Sequence, residues 1–200
     1  MNPYQQSSNL IEIPKQFYSD ATNALFNTCL NCGRYLLDNN TEYVIEKAVK
    51  RYKEFDTTDT IFEYAICLKC HMEIMSVYSE ASLKNIQNYF QTHVNFEERQ
   101  HRINDKLASG SYSLKEWTSN CIVKGTPLDQ LSEYQVGCMC VGNKMLVSNM
   151  PFLIGNEAMD EITQLLSNKT IGEMNRFVDE FLGLPPDLRK LLKDTGVLIL

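Results

Sequence analysis

The chain lacks the long apolar run that a membrane-spanning helix needs, about 20 residues. Its most apolar stretches, Ile61–Leu68, Met150–Ile154 and Val197–Leu200, are of strand length. The opening segment MNPYQQSSNLIEIPKQF has no basic n-region and no apolar h-region. It does not read as a secretory signal, and a cytoplasmic protein is expected. In that reducing compartment the seven cysteines are not a disulfide framework, and an odd number cannot pair completely. A basic excess is missing too. Lys and Arg number 19 against 25 Asp and Glu, a net charge of −6, which disfavours a general phosphate-binding surface.

The familiar catalytic signatures are also missing. There is no Gly-x-Gly-x-x-Gly and no phosphate loop, no Gly-x-Ser-x-Gly elbow and no His-Glu-x-x-His. The pairs Glu97-Glu98 and Asp160-Glu161 read as solvated helix surface. A Cys–His nucleophile pair meets in space rather than in sequence, and nothing in the order of residues selects one. No catalytic residue is nominated, and a non-enzymatic protein is the expectation.

What remains is the composition of a folded protein: 200 residues, 44% hydrophobic and 22% charged. That length suits one large domain or two small ones. Ser109-Gly110-Ser111 is the clearest break. It divides an N-terminal segment, residues 1–110, from a C-terminal one, residues 111–200, that can pack on it as one globule. No internal repeat and no low-complexity tract is visible.

Coarse patterning gives an α+β protein. Residues 1–14 read as an irregular arm, and residues 19–27 as a short helix. Residues 42–53 alternate imperfectly and fit a strand or a helix. Ile61–Cys67 is β-branched and aromatic, hence a strand. Met72, Met75, Tyr78, Ser82, Ile86 and Tyr89 recur at helical steps, predicting one long helix after Cys67. A further helix is expected over residues 95–108. Ser113-Leu-Lys-Glu116 has the form of a capping box and opens a helix carrying Trp117. Tyr134–Val141, the turn Gly142-Asn143 and Lys144–Ile154 form the clearest hairpin. Helices follow: one after Asn156, one opened by Thr170-Ile-Gly-Glu173, and a last one around Leu188–Leu192 before a terminal strand at Val197–Leu200.

The strong signal is Cys29-x2-Cys32-Gly33 with Cys67-x2-Cys70. Two residues between cysteines let both sulfurs turn toward one point, and four thiolates make the closed tetrahedral shell of structural Zn2+. Gly33 suits the backbone turn. Cys70 falls in the first turn of a predicted helix, where free N–H groups and the positive dipole end favour thiolate. A knuckle, a hairpin and a helix that brings the last two ligands resembles a treble-clef zinc finger. The resemblance covers residues 27–90, with 34–66 longer than a minimal hairpin. It implies Cys29, Cys32, Cys67 and Cys70 as metal ligands and zinc as a structural cofactor. The remainder is expected to be added helices, then a β-hairpin and C-terminal helices.

Other residues carry weaker signals. Cys138 and Cys140 face one side of a strand. With Cys121 and His93 or His101 they could build a second site, but buried hydrophobes are the simpler expectation. His71, His93 and His101 read as surface residues, and none lies between Cys32 and Cys67. That position is where a treble-clef nuclease would carry its catalytic histidine. Tyr43, Tyr52, Phe55, Phe62 and Tyr64 interleave with Lys47, Lys50, Arg51 and Lys53, a combination that can bind single strands or simply pack. Three functions therefore stand in order. The first is a zinc-stabilised cytoplasmic interaction or regulatory protein with a protein partner. The second is a nucleic-acid-binding zinc finger, disfavoured by net charge. The third is a zinc- or cysteine-dependent enzyme. No membrane partner is expected.

Overall fold

The computed structural model describes residues 9–182, which hold six α-helices and six strands. The strands form one antiparallel sheet. They are β1 (Leu10–Glu12), β2 (Glu42–Tyr52), β3 (Thr57–Cys67), β4 (Glu133–Val141), β5 (Lys144–Leu146) and β6 (Phe152–Gly155). The order is β1-β5-β4-β2-β3, with β6 also on β4. Strands β2 and β4 pair along their lengths, from Glu42 opposite Val141 to Lys50 opposite Glu133. The sheet therefore crosses the Ser109–Ser111 break.

Strand β2 lies at the centre, and Tyr43 through Val49 are all buried. A strand covered on both faces reads as a continuous buried run rather than a clean alternation, which is why 42–53 alternates poorly. Two charged residues sit inside that run. Glu46 accepts a hydrogen bond from the Tyr64 hydroxyl on one face. Lys47, 3% exposed, lies on the other. Its ammonium meets Asp20 at 2.7 Å, Glu63 at 3.0 Å and the Tyr18 carbonyl at 2.9 Å. All three of its protons are matched, as burial of a charged group requires.

The helices are α1 (Leu68–Val77), α2 (Glu80–His93), α3 (Phe96–Ala108), α4 (Leu114–Thr118), α5 (Asn156–Gln164) and α6 (Asn168–Phe177). The long helix expected after Cys67 is broken in two. Ser79 caps α2, its hydroxyl accepting from the Ser82 N–H, and a strong N-cap ends one helix as it begins the next. Ser167 caps α6 in the same way, accepting from the Thr170 N–H, so that helix starts before the Thr170 predicted to open it. The two caps touch. The Ser79 N–H donates to Thr170 Oγ1 (3.0 Å), the Ser167 N–H donates to Ser82 Oγ (2.8 Å), and the Ser79 and Ser167 hydroxyls meet at 2.9 Å.

Four other expectations change. Within the arm expected to be irregular, Leu10–Glu12 pairs with β5 as strand β1. Residues 19–24 form a tight turn and 25–27 an irregular segment, with no helix. Asn23 takes a left-handed φ of 52°, and Glu63 accepts from the Asp20 and Ala21 N–H groups. Ser113 stands at the start of α4 without a side-chain capping bond. The second limb of the C-terminal hairpin is interrupted: β5 turns back on β4 through Gly142 (φ 56°), and the chain returns as β6 only at Phe152. The helix around Leu188–Leu192 and the strand Val197–Leu200 fall outside the described residues.

Candidate metal centre

The turn that holds Cys29 and Cys32 is set by its own backbone. The Cys29 N–H donates to the Arg34 carbonyl (2.8 Å), and the Gly33 N–H donates to the Cys29 carbonyl (3.0 Å). Closing this loop puts Gly33 at φ 69°, a left-handed value that favours glycine. The Leu30 N–H then donates to the Ala65 carbonyl (2.9 Å), tying the turn to the end of β3. Cys67 is the last residue of β3 and the N-cap of α1, and Cys70 lies in that helix's first turn. Strand, turn and helix end thus converge.

The four sulfurs of Cys29, Cys32, Cys67 and Cys70 all lie within 4.8 Å of one another. Cys32 and Cys67 are 3.8 Å apart. A tetrahedral zinc ion with sulfurs at about 2.3 Å gives sulfur–sulfur edges of about 3.8 Å. Cys29, Cys67 and Cys70 are each 2% exposed, while Cys32 sits at the surface. Amide donors already point at sulfur, the Cys67 N–H reaching Cys29 Sγ at 3.3 Å. No acidic side chain occupies the first turn of α1, which leaves its positive end to the thiolates.

The thiols do not ionise alike. The Arg34 backbone N–H, with the Cys70, Cys29 and Cys67 thiols, brings Cys32 down to about 7 against the opposing effect of burial. Burial pushes Cys67 and Cys70 up, and crowding by neighbouring thiols adds to this at Cys70. Four sulfurs this close carry full negative charge together only around a cation. The set therefore fits a metal ion that takes soft ligands.

The other cysteines do not join this group. Cys138 and Cys140 are wholly buried with sulfurs 3.7 Å apart, in the main core. Cys121 is buried in a second cluster with Leu131, Leu153, Ala158 and Ile162. Among the described residues, Cys29, Cys32, Cys67 and Cys70 are the one set of three or more placed to hold a metal. His93 and His101 are exposed on α2 and α3, and His71 is half-buried on α1. The basic residues of β2 and its turn are paired: Lys47 as above, Lys50 with Glu133 (3.0 Å), Arg51 with Asp56 (3.2 Å), and Lys53 with the Gln130 carbonyl (2.7 Å). The Asp20–Lys47–Glu63 network carried no signal in sequence, since nothing there brings Asp20 to β2.

No protein-family model matches the chain, and no curated protein or solved structure matches it.

Proposed function

We propose that residues 28–77 form a treble-clef zinc unit, with Cys29, Cys32, Cys67 and Cys70 as its ligands. On this reading the protein is a zinc-stabilised interaction or regulatory protein of the cytoplasm, without catalytic activity. The observation that carries it is the sulfur spacing, four thiols within 4.8 Å of one another with three of them buried. Four protein ligands leave zinc no open position for a substrate or water, the mark of a structural site. Binding free energies of roughly 10–16 kcal/mol then make the metal part of the folding equilibrium.

Two further observations favour this reading over its rivals. The pairing of Lys47, Lys50 and Arg51 with carboxylates leaves β2 without the free cationic stripe a nucleic-acid surface needs. Burial of Cys121, Cys138 and Cys140 removes them from substrate, against a cysteine enzyme. A partner surface is offered by an apolar cavity of about 370 Å3 between α1, α2, α3 and β6, lined by Met75, Ile86, Phe90, Phe96 and Phe152.

Metal analysis of untagged protein tests the first half. Cys29→Ser and Cys67→Ser should each lose the zinc and the cooperative unfolding transition together; full zinc content in either variant contradicts the ligand set. For the second half, a photo-crosslinking residue at the exposed rim position Gln91 should trap one partner in cells, and should lose it in Cys29→Ser. Absence of any trapped protein there would remove the interaction reading.

A further inference from the structure

The bonds that shape the Cys29 turn recur around Cys121. The Cys121 N–H donates to the Thr126 carbonyl (2.8 Å) and the Gly125 N–H to the Cys121 carbonyl (2.8 Å), as Cys29 does to Arg34 and Gly33 to Cys29. Gly125 has φ 68°, against 69° at Gly33. The strand bridge Thr28–Tyr35 that closes the first turn has its counterpart in Asn120–Pro127. The Ile122 N–H donates to Leu153 as Leu30 does to Ala65. The Gly155 N–H reaches Cys121 Sγ at 3.3 Å, as the Cys67 N–H reaches Cys29 Sγ.

The match continues beyond the turn. Cys67 lies opposite Tyr43 in the sheet, and Gly155 lies opposite Tyr134. Each of these residues ends a strand and caps the helix that follows, α1 or α5. Strands β5 and β6 together line β4 as β3 lines β2. Between β2 and β4, Glu46 stands opposite Gly137. A half-turn about that pair exchanges Tyr43–Cys140 with Tyr134–Val49, and both are observed pairs. The Ser79 and Ser167 caps also bond reciprocally, Ser79 to Thr170 and Ser167 to Ser82, as a two-fold relation of the copies requires. Faint sequence likeness follows the same alignment: Cys29-Leu-Asn-Cys32-Gly33 with Cys121-Ile-Val-Lys124-Gly125, and Thr41-Glu42-Tyr43 with Ser132-Glu133-Tyr134.

We infer that the chain is a tandem duplication of one turn–hairpin–helix unit, and that its second copy, residues 120–170, is a metal site that now stands without metal. Of four ligand positions, one keeps its cysteine, Cys121. The other three hold Lys124, Gly155 and Ala158. Their places have been filled by packing and charge. A methyl carbon of Leu131 lies 2.5 Å from where a Cβ on Gly155 would stand. Lys124 forms an ion pair with Glu161 of α5, joining the turn to the helix that a metal would otherwise join to it. Cys121, Leu131, Leu153, Ala158 and Ile162 form a closed apolar core there. Three ligand replacements and a broken strand leave no repeat visible in the sequence pattern.

Returning the ligands tests this. Lys124→Cys, Gly155→Cys and Ala158→Cys, with Leu131→Ala to make room, should double the zinc content from one ion per chain to two. A folded variant with no more metal than the wild type overturns the inference. Lys124→Cys with Ala158→Cys alone spares the crowded Gly155 position and is the milder second variant. Its cobalt content should exceed the wild type's by one ion per chain, and equal contents overturn the inference here also. The expectation shares with the proposed function only the premise that such thiols take zinc. If the wild type holds none while the variants gain one, the first site fails and the duplication stands. If all hold one, the reverse is true.

Discussion

Gly33 and Gly125 do the same work at two turns, and the cost of replacing them isolates the backbone. A Cβ at Gly33 meets nothing within 4 Å, so Gly33→Ala should lose only the left-handed preference. That is about 1 kcal/mol, read by urea denaturation of the metal-loaded protein, and Gly33→Asn should lose less. A second residue-scale prediction concerns Lys47. Removing it leaves the half-buried Glu63 without its cation, and Lys47→Ala should cost about 1–3 kcal/mol. Burial alone would raise the Glu63 carboxyl. The Asp20 and Ala21 N–H groups, the Ser19 hydroxyl and Lys47 outweigh it and hold Glu63 below the usual carboxylate range. A lowered carboxyl stabilises the fold fully above its unfolded value of about 4.3. That contribution is lost as pH falls through the lower folded value. Acid titration of stability should therefore steepen below about pH 4, and Glu63→Gln should flatten that limb. An unchanged acid limb in Glu63→Gln would show that the network carries no pH dependence.

At the scale of elements, the paired caps are the sharpest case. Ser79→Ala and Ser167→Ala should each cost about 1 kcal/mol. Because the hydroxyls meet across the half-turn, the double variant should depart from the sum by about 0.5 kcal/mol or more. Strict additivity in a double-mutant cycle would mean the two caps act alone. Those serines also mark where sequence reading stops. The stripe from Met72 to Tyr89 has helical period throughout, and only the Ser79 cap, satisfied by a partner far along the chain, divides it. The gathering of Cys29, Cys32, Cys67 and Cys70 was legible because the Cys-x2-Cys spacing is local and its chemistry narrow. The strand character of β2 was ambiguous because burial on both faces erases alternation. Glu46 and Lys47, inside that run, find their partners only through tertiary structure. The second copy of the unit was invisible because packing by Leu131 and the Lys124–Glu161 pair replaced the residues that would have announced it.

For the whole molecule, the decisive feature is the β2–β4 pairing, which joins the two halves divided by Ser109–Ser111. A chain of residues 1–110 leaves Tyr43, Ile45 and Lys47 along an open edge, with half of β2's hydrogen bonds unmade. That fragment is expected to show no cooperative unfolding transition, with or without zinc. A sharp transition with zinc bound would establish the N-terminal segment as an independent domain. The duplication gives this architecture a simple cause: a unit too small to cover its own sheet pairs with a copy of itself, and one metal then suffices for both. The first copy should be the region that chelation loosens, with early hydrogen exchange over α1 and residues 28–36, while β6 and α5 keep their protection longer.

Zinc content of the native chain, purified untagged under reducing conditions and compared with Cys67→Ser, decides whether the four thiols hold a structural metal. One ion per chain in the wild type, and none in a variant that has lost its folded spectrum, is the predicted result. A wild-type chain that folds fully with no metal, its four neighbouring thiols all counted free after denaturation, would contradict it.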